Sequence, residues 1–133
     1  MENINWAAVG TATIMGYVLG ALWYSPILFG KVWMKVANID QDQISKSNKG
    51  LTYGVSFIFI AIASFNLAYF VADPKIGAMM GATYGFLTGF GWVMMGIGVT
   101  ALFELKSWSY IFINGGYWVV NLTVMGLILG SWK

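Results

Sequence analysis

The chain has 133 residues, of which 59% are hydrophobic, 17% aromatic and only 9% charged. A soluble domain carries about 25% charged residues, so this composition excludes an ordinary soluble protein and indicates a single-domain integral membrane protein. The formal net charge of +2 is too small to predict nucleic acid as a partner.

The first apolar run covers residues 4–29 and predicts a membrane span. Glu2 stands where a signal peptide carries its basic residues, so we expect the run to be retained. Gly16 and Gly20 form a GxxxG pair, the spacing that lets two membrane helices approach closely. Interfacial aromatic residues and a helix-breaking proline then end the span, in the phrase Trp23-Tyr24-Ser25-Pro26.

A hydrophilic stretch separates the first span from the second. Apolar and basic residues alternate at helical spacing over residues 31–39, which predicts an amphipathic segment lying on the membrane surface. Asp40 and Gln43 have the spacing of a capping box, so we expect a helix to begin near Gln41. The second span is predicted at residues 51–72.

Glycine dominates the third span, predicted at residues 76–103. Four of its glycines recur at four-residue intervals, namely Gly77, Gly81, Gly85 and Gly89. At about 100° per residue they drift only about 40° per step, so they form one winding ridge. In lipid the backbone must hydrogen-bond internally, and a missing side chain lets another helix come close. We therefore predict that the ridge packs against a neighbouring helix.

The third span is also long. Its length of about 28 residues corresponds to roughly 42 Å, which exceeds a hydrocarbon core of about 30 Å. We expect the helix to tilt, to bend in its glycine-rich half or to protrude. A polar turn at residues 104–106 leads to the fourth span, predicted at residues 108–130.

These elements predict an all-α fold, an integral membrane four-helix bundle with glycine-ridge packing that forms one domain over residues 1–133. The glycines expected to mediate helix packing are Gly16, Gly20, Gly77, Gly81, Gly85, Gly89, Gly126 and Gly130.

The lysines predict the orientation of the bundle. Five of the seven basic residues lie in the segments 31–50 and 104–106, whereas Lys75 and Lys133 lie on the opposite side. Because short cytoplasmic loops are enriched in lysine, we expect both segments inside and both termini outside, in a bacterial cytoplasmic (inner) membrane.

Uncharged polar residues within the spans are the candidate functional residues. Tyr110, Asn114, Tyr117 and Asn121 fall within an arc of about 60° on the fourth span. Two interpretations stay open for this stripe: hydrogen bonds between helices, or the lining of a cavity or pore. The candidates for a pore lining or a small neutral or lipid-like ligand site are Asn66, Trp92, Asn114, Tyr117, Trp118 and Asn121.

Enzymatic activity is not expected. The chain has no histidine and no cysteine, which removes the commonest general base, the commonest transition-metal ligand and thiol chemistry. The sequence contains no cluster of metal ligands and no phosphate-binding motif, so neither a metal nor a cofactor is predicted.

Two functions remain. The first is a structural or interaction unit that forms a homo-oligomer in membrane lipid. The second is an oligomeric channel or carrier for a small uncharged or hydrophobic solute, because interrupted membrane helices often mark transport sites. A small-molecule ligand stays open under both hypotheses.

Several phrases bracket the chain: Asn5-Trp6, Gly20-Ala21-Leu22-Trp23-Tyr24-Ser25-Pro26, Leu28-Phe29-Gly30-Lys31, Trp33-Met34, Gly116-Tyr117, Val124-Met125-Gly126 and Trp132. Together they resemble a family of small bacterial integral membrane proteins, the domain of unknown function 1761 family. The Trp-Tyr-Ser-Pro phrase with the following Phe-Gly-Lys-x-Trp-Met is the most specific part. The resemblance implies a four-span membrane protein, and it implies no activity and no catalytic residues.

Overall fold

The structure is a computed structural model that describes residues 4–133, and this part of the chain is all-α. Its helices are α1 (Trp6–Trp23), α2 (Gly30–Val36), α3 (Gln41–Lys46), α4 (Lys49–Val71), α5 (Ala78–Thr88), α6 (Met95–Phe103) and α7 (Trp108–Ser131). A π-helical segment, Gly89–Met94, joins α5 to α6, so that Ala78–Phe103 forms one continuous third span.

Four helices in the described chain are long and apolar enough to cross a membrane: α1, α4, the third span and α7. They pack against one another, which confirms the predicted all-α integral membrane architecture. Their backbone groups are bonded within each helix, as the bilayer interior requires.

Helix α7 forms the centre of the bundle, since it packs against α1, α4 and the third span. Helices α1 and α4 also pack against each other, whereas the third span packs almost entirely against α7. The central position of α7 places Asn121 and Met125 among the largest fully buried side chains, together with Ser64 and Val71 of α4.

The two ends of the described chain meet at one end of the bundle. The side-chain amide of Asn5 donates a hydrogen bond to the carbonyl oxygen of Trp132 over 3.2 Å. The Lys133 ammonium donates to the carbonyls of Val71 and Asp73 and thereby satisfies acceptors at the end of α4. The connection between α1 and α4 and the turn before α7 therefore lie together at the opposite end.

The first span ends earlier than predicted, at Trp23 rather than near residue 29. Residues 24–29 instead form a compact turn, in which the Phe29 amide donates to the Trp23 carbonyl over 3.0 Å and the Gly30 amide to the Ser25 carbonyl over 2.8 Å. Pro26 cannot donate to a helical ladder, which explains why the helix does not continue.

The capping box at Asp40 and Gln43 is confirmed, with both reciprocal hydrogen bonds present. The helix that it starts is short, however, and ends at Lys46. The second span begins separately at Lys49, where the Asn48 side chain accepts a hydrogen bond from the Leu51 amide over 3.0 Å. Its own cap thus decides where this span begins.

The long third span is irregular at its centre. The π-helical segment begins at Gly89 and includes Gly91. A π-helical turn inserts one residue into the helical repeat, and such turns occur frequently at functional sites. The residues after it are therefore rotated relative to those before it.

Candidate functional site

The closest helix contact in the bundle joins α5 to α7 through glycines. A Cβ atom added at Gly81 would overlap the carbonyl oxygen of Gly126, and one added at Gly126 would overlap the carbonyl oxygen of Gly81. At Gly85 an added Cβ would overlap the carbonyl oxygen of Leu122. The two backbones are in direct contact here, and a side chain at either glycine pair has no room.

The contact continues in both directions along α7. An added Cβ at Gly89 would lie 2.8 Å from the Cα of Val119, and one at Gly130 would overlap the carbonyl oxygen of Gly77. Gly77 itself differs from the other predicted packing glycines, because within the described chain no neighbouring atom lies within 4 Å of its added Cβ. Its carbonyl takes part in the contact, whereas its missing side chain does not.

Two glycines of α1 receive the polar side chains of α7. An added Cβ at Gly16 would lie 2.6 Å from Asn121 Oδ1, and one at Gly20 would lie 3.0 Å from the Tyr117 hydroxyl. That hydroxyl donates to the Gly16 carbonyl over 2.9 Å, and Asn121 Nδ2 donates to the same hydroxyl over 3.2 Å. The missing side chains of α1 thus make room for a buried hydrogen-bond chain between the helices.

One acceptor among these hydrogen-bonded side chains stays unpaired. Asn121 is fully buried, and in the described part of the protein its Oδ1 has no hydrogen-bond donor. A buried polar atom without a partner reduces the stability of the fold. The net contribution of Asn121 is therefore smaller than a fully paired amide would provide.

A second anchor lies one helical turn away, at the end of α1. The Tyr24 hydroxyl donates to Asn114 Oδ1 over 2.7 Å, and the Trp23 indole donates to the Ile113 carbonyl over 2.9 Å. Asn114 Nδ2 donates in turn to the Tyr110 carbonyl over 3.1 Å. Burial raises the pKa of the Tyr24 hydroxyl above its ordinary value, so it remains a donor in neutral and moderately basic solution.

The Trp-Tyr-Ser-Pro phrase therefore has a structural explanation. Trp23 and Tyr24 anchor α1 to α7, and the turn that follows brings Gly30 against the Tyr24 backbone. The Tyr24 ring also contacts the rings of Trp33 and Tyr117, with centroids 5.1 and 5.7 Å apart. This phrase holds α1, α2 and α7 together.

Not all the predicted site residues belong to this cluster. Asn114, Tyr117 and Asn121 lie on the α1-facing side of α7, and the Trp118 ring packs against the Tyr117 ring at 5.3 Å. Asn66 instead lies exposed on α4 and bonds to the Ile62 carbonyl of its own helix. Trp92 is 73% exposed on the third span. These two residues do not join the others.

Sequence reasoning missed an apolar groove of about 460 Å³ on the side of the bundle. Its walls come from the end of α1, the third span and α7, and include Trp23, Phe29, Phe86, Phe90, Phe112 and Val120. The i, i+4 spacing of Phe86 and Phe90 is the signal in the sequence, since it places both rings on one helix face. The other walls come from distant segments and have no local signal.

No curated protein and no solved structure matches the chain significantly. A sequence family described as "Protein of unknown function (DUF1761)" matches residues 7–130, a range that includes nearly all of the four spans and the anchoring phrase. The resemblance predicted from that phrase is confirmed. The chain belongs to the DUF1761 family of proteins of unknown function.

Proposed function

We propose that the protein is a non-catalytic interaction unit of the membrane, which works as a homo-oligomer. The observation that carries this proposal is the use of the polar residues on α7. The Tyr117 hydroxyl donates to the Gly16 carbonyl of α1 and accepts from Asn121, and Asn114 accepts from the Tyr24 hydroxyl. Side chains engaged in this way hold helices together and are poorly placed to line a path for solute.

The third span supports assembly between copies. Only 17% of its most apolar window is buried within one chain, against 44% for α7. Met79 and Phe103 are exposed to more than four-fifths of their surface, and Trp92 to 73%. The hydrophobic effect does not drive helices together in lipid, so a second copy would have to fit the exposed surface of the third span by shape.

An oligomeric channel or carrier for an uncharged or hydrophobic solute is the second candidate. The π-helical segment Gly89–Met94 favours it, because irregular helices at membrane depth often accompany transport. Such a pathway would run between copies, since within the described chain the polar stripe faces α1.

The mass of the solubilised particle tests the proposal. Native mass spectrometry of the protein released from nanodiscs is expected to give a defined multiple of the 14.6 kDa chain. A Trp92→Ala variant is expected to shift the distribution toward monomer. Phe59→Ala, which removes an aromatic ring that is 63% exposed on α4, is the matched control. A monomer at every protein-to-lipid ratio contradicts the proposal.

Asn121→Leu separates the two candidate functions. Leucine has a similar branched shape, so the change removes the bond to Tyr117 and also the unpaired Oδ1. The lost bond lies within α7 but orients the Tyr117 hydroxyl toward the Gly16 carbonyl, and removal of the unpaired Oδ1 offsets part of the loss. We therefore expect the free energy of unfolding to fall by about 0.5 kcal/mol, the lower end for a hydrogen bond. Thermal unfolding in detergent measures this loss, and efflux of a neutral solute such as glycerol from proteoliposomes is expected to stay unchanged.

Asn66→Leu is the control for this experiment. Asn66 is exposed and bonds to the Ile62 carbonyl of its own helix, whereas Asn121 is buried and bonds to the Tyr117 hydroxyl that reaches α1. The replacement of Asn66 is therefore expected to alter neither stability nor efflux. If Asn121→Leu abolishes a glycerol flux that the unmodified protein supports and leaves stability unchanged, the channel hypothesis replaces the packing hypothesis.

A further inference from the structure

We propose that the apolar groove binds one acyl chain of an anionic phospholipid, whose headgroup lies at the lysines beside the groove. The inference goes beyond the interaction function and stands whether or not copies of the chain assemble. It rests on the chemistry of the groove walls, on its size and on the charges at one end of the bundle.

The groove walls accept only an apolar ligand. Among the described residues, the side chains that form these walls are all apolar apart from one indole N–H. That N–H belongs to Trp23 and already donates to the Ile113 carbonyl. Phe86 and Phe90 stack with centroids 5.8 Å apart and planes 9° apart, and both rings line the groove. A ligand that needs hydrogen bonds would lose them here, whereas a hydrocarbon chain loses none.

The size of the groove fits a single chain better than a second protein helix. Its volume of about 460 Å³ lies in the usual range of about 300–1,000 Å³ for ligand sites. A helix about 10 Å wide fills a similar volume in roughly one turn, so the groove is too small to seat a spanning helix of another copy. A flexible aliphatic chain has no such requirement.

The groove opens to the surrounding lipid. Phe90 and Phe112 line it and are 45% and 57% exposed, and Val120 on its rim is 37% exposed. The Trp108 ring lies 6.3 Å from that of Phe112, one turn nearer the end of the bundle. An acyl chain is thus able to enter sideways from the bilayer, with its headgroup toward Trp108.

The charges at that end favour a negative headgroup. Lys31 is exposed two residues after Phe29, a wall residue, and Lys106 lies two residues before Trp108 with its ammonium 5.6 Å from the Tyr110 ring. Glu104 stands in the same turn, but Lys31 and Lys106 leave a positive balance there. Lysines at a membrane surface attract anionic lipid headgroups.

Competition between two lipids tests the proposal. The full chain in nonionic detergent is mixed with equal amounts of phosphatidylglycerol and phosphatidylcholine that carry the same acyl chains, and retained lipid is counted by native mass spectrometry. We expect one phosphatidylglycerol per chain. Val120→Trp, which fills the groove from its rim, is expected to lose the bound lipid.

Leu127→Trp is the matched control for Val120→Trp. It adds the same indole to the same lipid-exposed face of α7, seven residues further on and outside the groove. This variant is expected to keep the lipid. Lys31→Gln and Lys106→Gln lie outside the spans, and each is expected to lower the preference for phosphatidylglycerol about fivefold.

Three results would overturn the proposal. In the first, Val120→Trp and Leu127→Trp retain equal amounts of lipid. In the second, the unmodified protein retains both lipids equally, or only detergent, in lipid excess. In the third, the lysine variants keep the full preference for phosphatidylglycerol. The oligomer measured in the same spectra reports separately on the interaction function.

Discussion

Gly85→Leu is expected to detach the third span from α7. A Cβ atom alone at this position would overlap the Leu122 carbonyl oxygen, and this backbone atom cannot move aside as a side chain does. Overpacking of a core ordinarily costs about 1–3 kcal/mol, and we expect a loss of about 3 kcal/mol or more here because the whole helix must shift. Thermal unfolding in detergent measures the loss, and Gly85→Ala is expected to reproduce part of it.

Gly96→Leu provides the control within the same span. No neighbouring part of the described chain comes within 4 Å of an added Cβ at Gly96, so the leucine faces open space. Its effect is expected to remain within about 0.5 kcal/mol, as for other surface changes. If both variants unfold at the same temperature as the unmodified protein, the close contact between α5 and α7 does not contribute to stability.

Gly30→Val is expected to open the turn that follows the Trp-Tyr-Ser-Pro phrase. An added Cβ at Gly30 would lie 2.5 Å from the Tyr24 carbonyl oxygen and 2.7 Å from that of Ser25. The turn must therefore widen, which weakens the bond from the Gly30 amide to Ser25 and displaces Tyr24 from Asn114. We expect a loss of about 2–3 kcal/mol in the free energy of unfolding.

Hydrogen exchange measures where along the chain Gly30→Val weakens the structure. The amides of Phe29 and Gly30 are bonded within the turn and are expected to lose protection in Gly30→Val, while amides in the middle of α4 keep theirs. Gly54→Val is the control, since in the described structure an added Cβ there meets nothing within 4 Å. Unchanged protection at Phe29 in Gly30→Val contradicts the role assigned to Gly30.

Local features of the sequence predicted much of the helical structure. The capping box at Asp40 predicted the start of α3, and the hydropathy pattern predicted the second, third and fourth spans to within two residues at each end. The first span was predicted too long, because residues 24–29 are as apolar as a helix yet fold into a turn. Apolar composition alone does not distinguish a helical segment from an apolar turn.

The polar candidates were harder to interpret. Asn66, Asn114 and Asn121 look alike in sequence, yet Asn66 is exposed on α4 and Asn121 is fully buried against α1. Helical spacing grouped Asn114 with Tyr117 and Asn121 on one face, and that grouping holds in the structure. Spacing does not indicate which helix this face meets, since it describes one helix at a time.

By itself the sequence determined that this protein is an all-α, four-span membrane protein of the DUF1761 family. Composition and run length decide the four helical spans, because an apolar run of about 20 residues crosses the bilayer as a helix that bonds its own polar backbone groups. The tertiary structure alone decided that α7 is the central helix, that Gly85 meets Leu122 and that distant aromatic residues enclose a groove. The physical reason is that the faces of a membrane helix are mostly apolar, so hydrophobicity does not select the partner helix, whereas close packing and a few hydrogen bonds do.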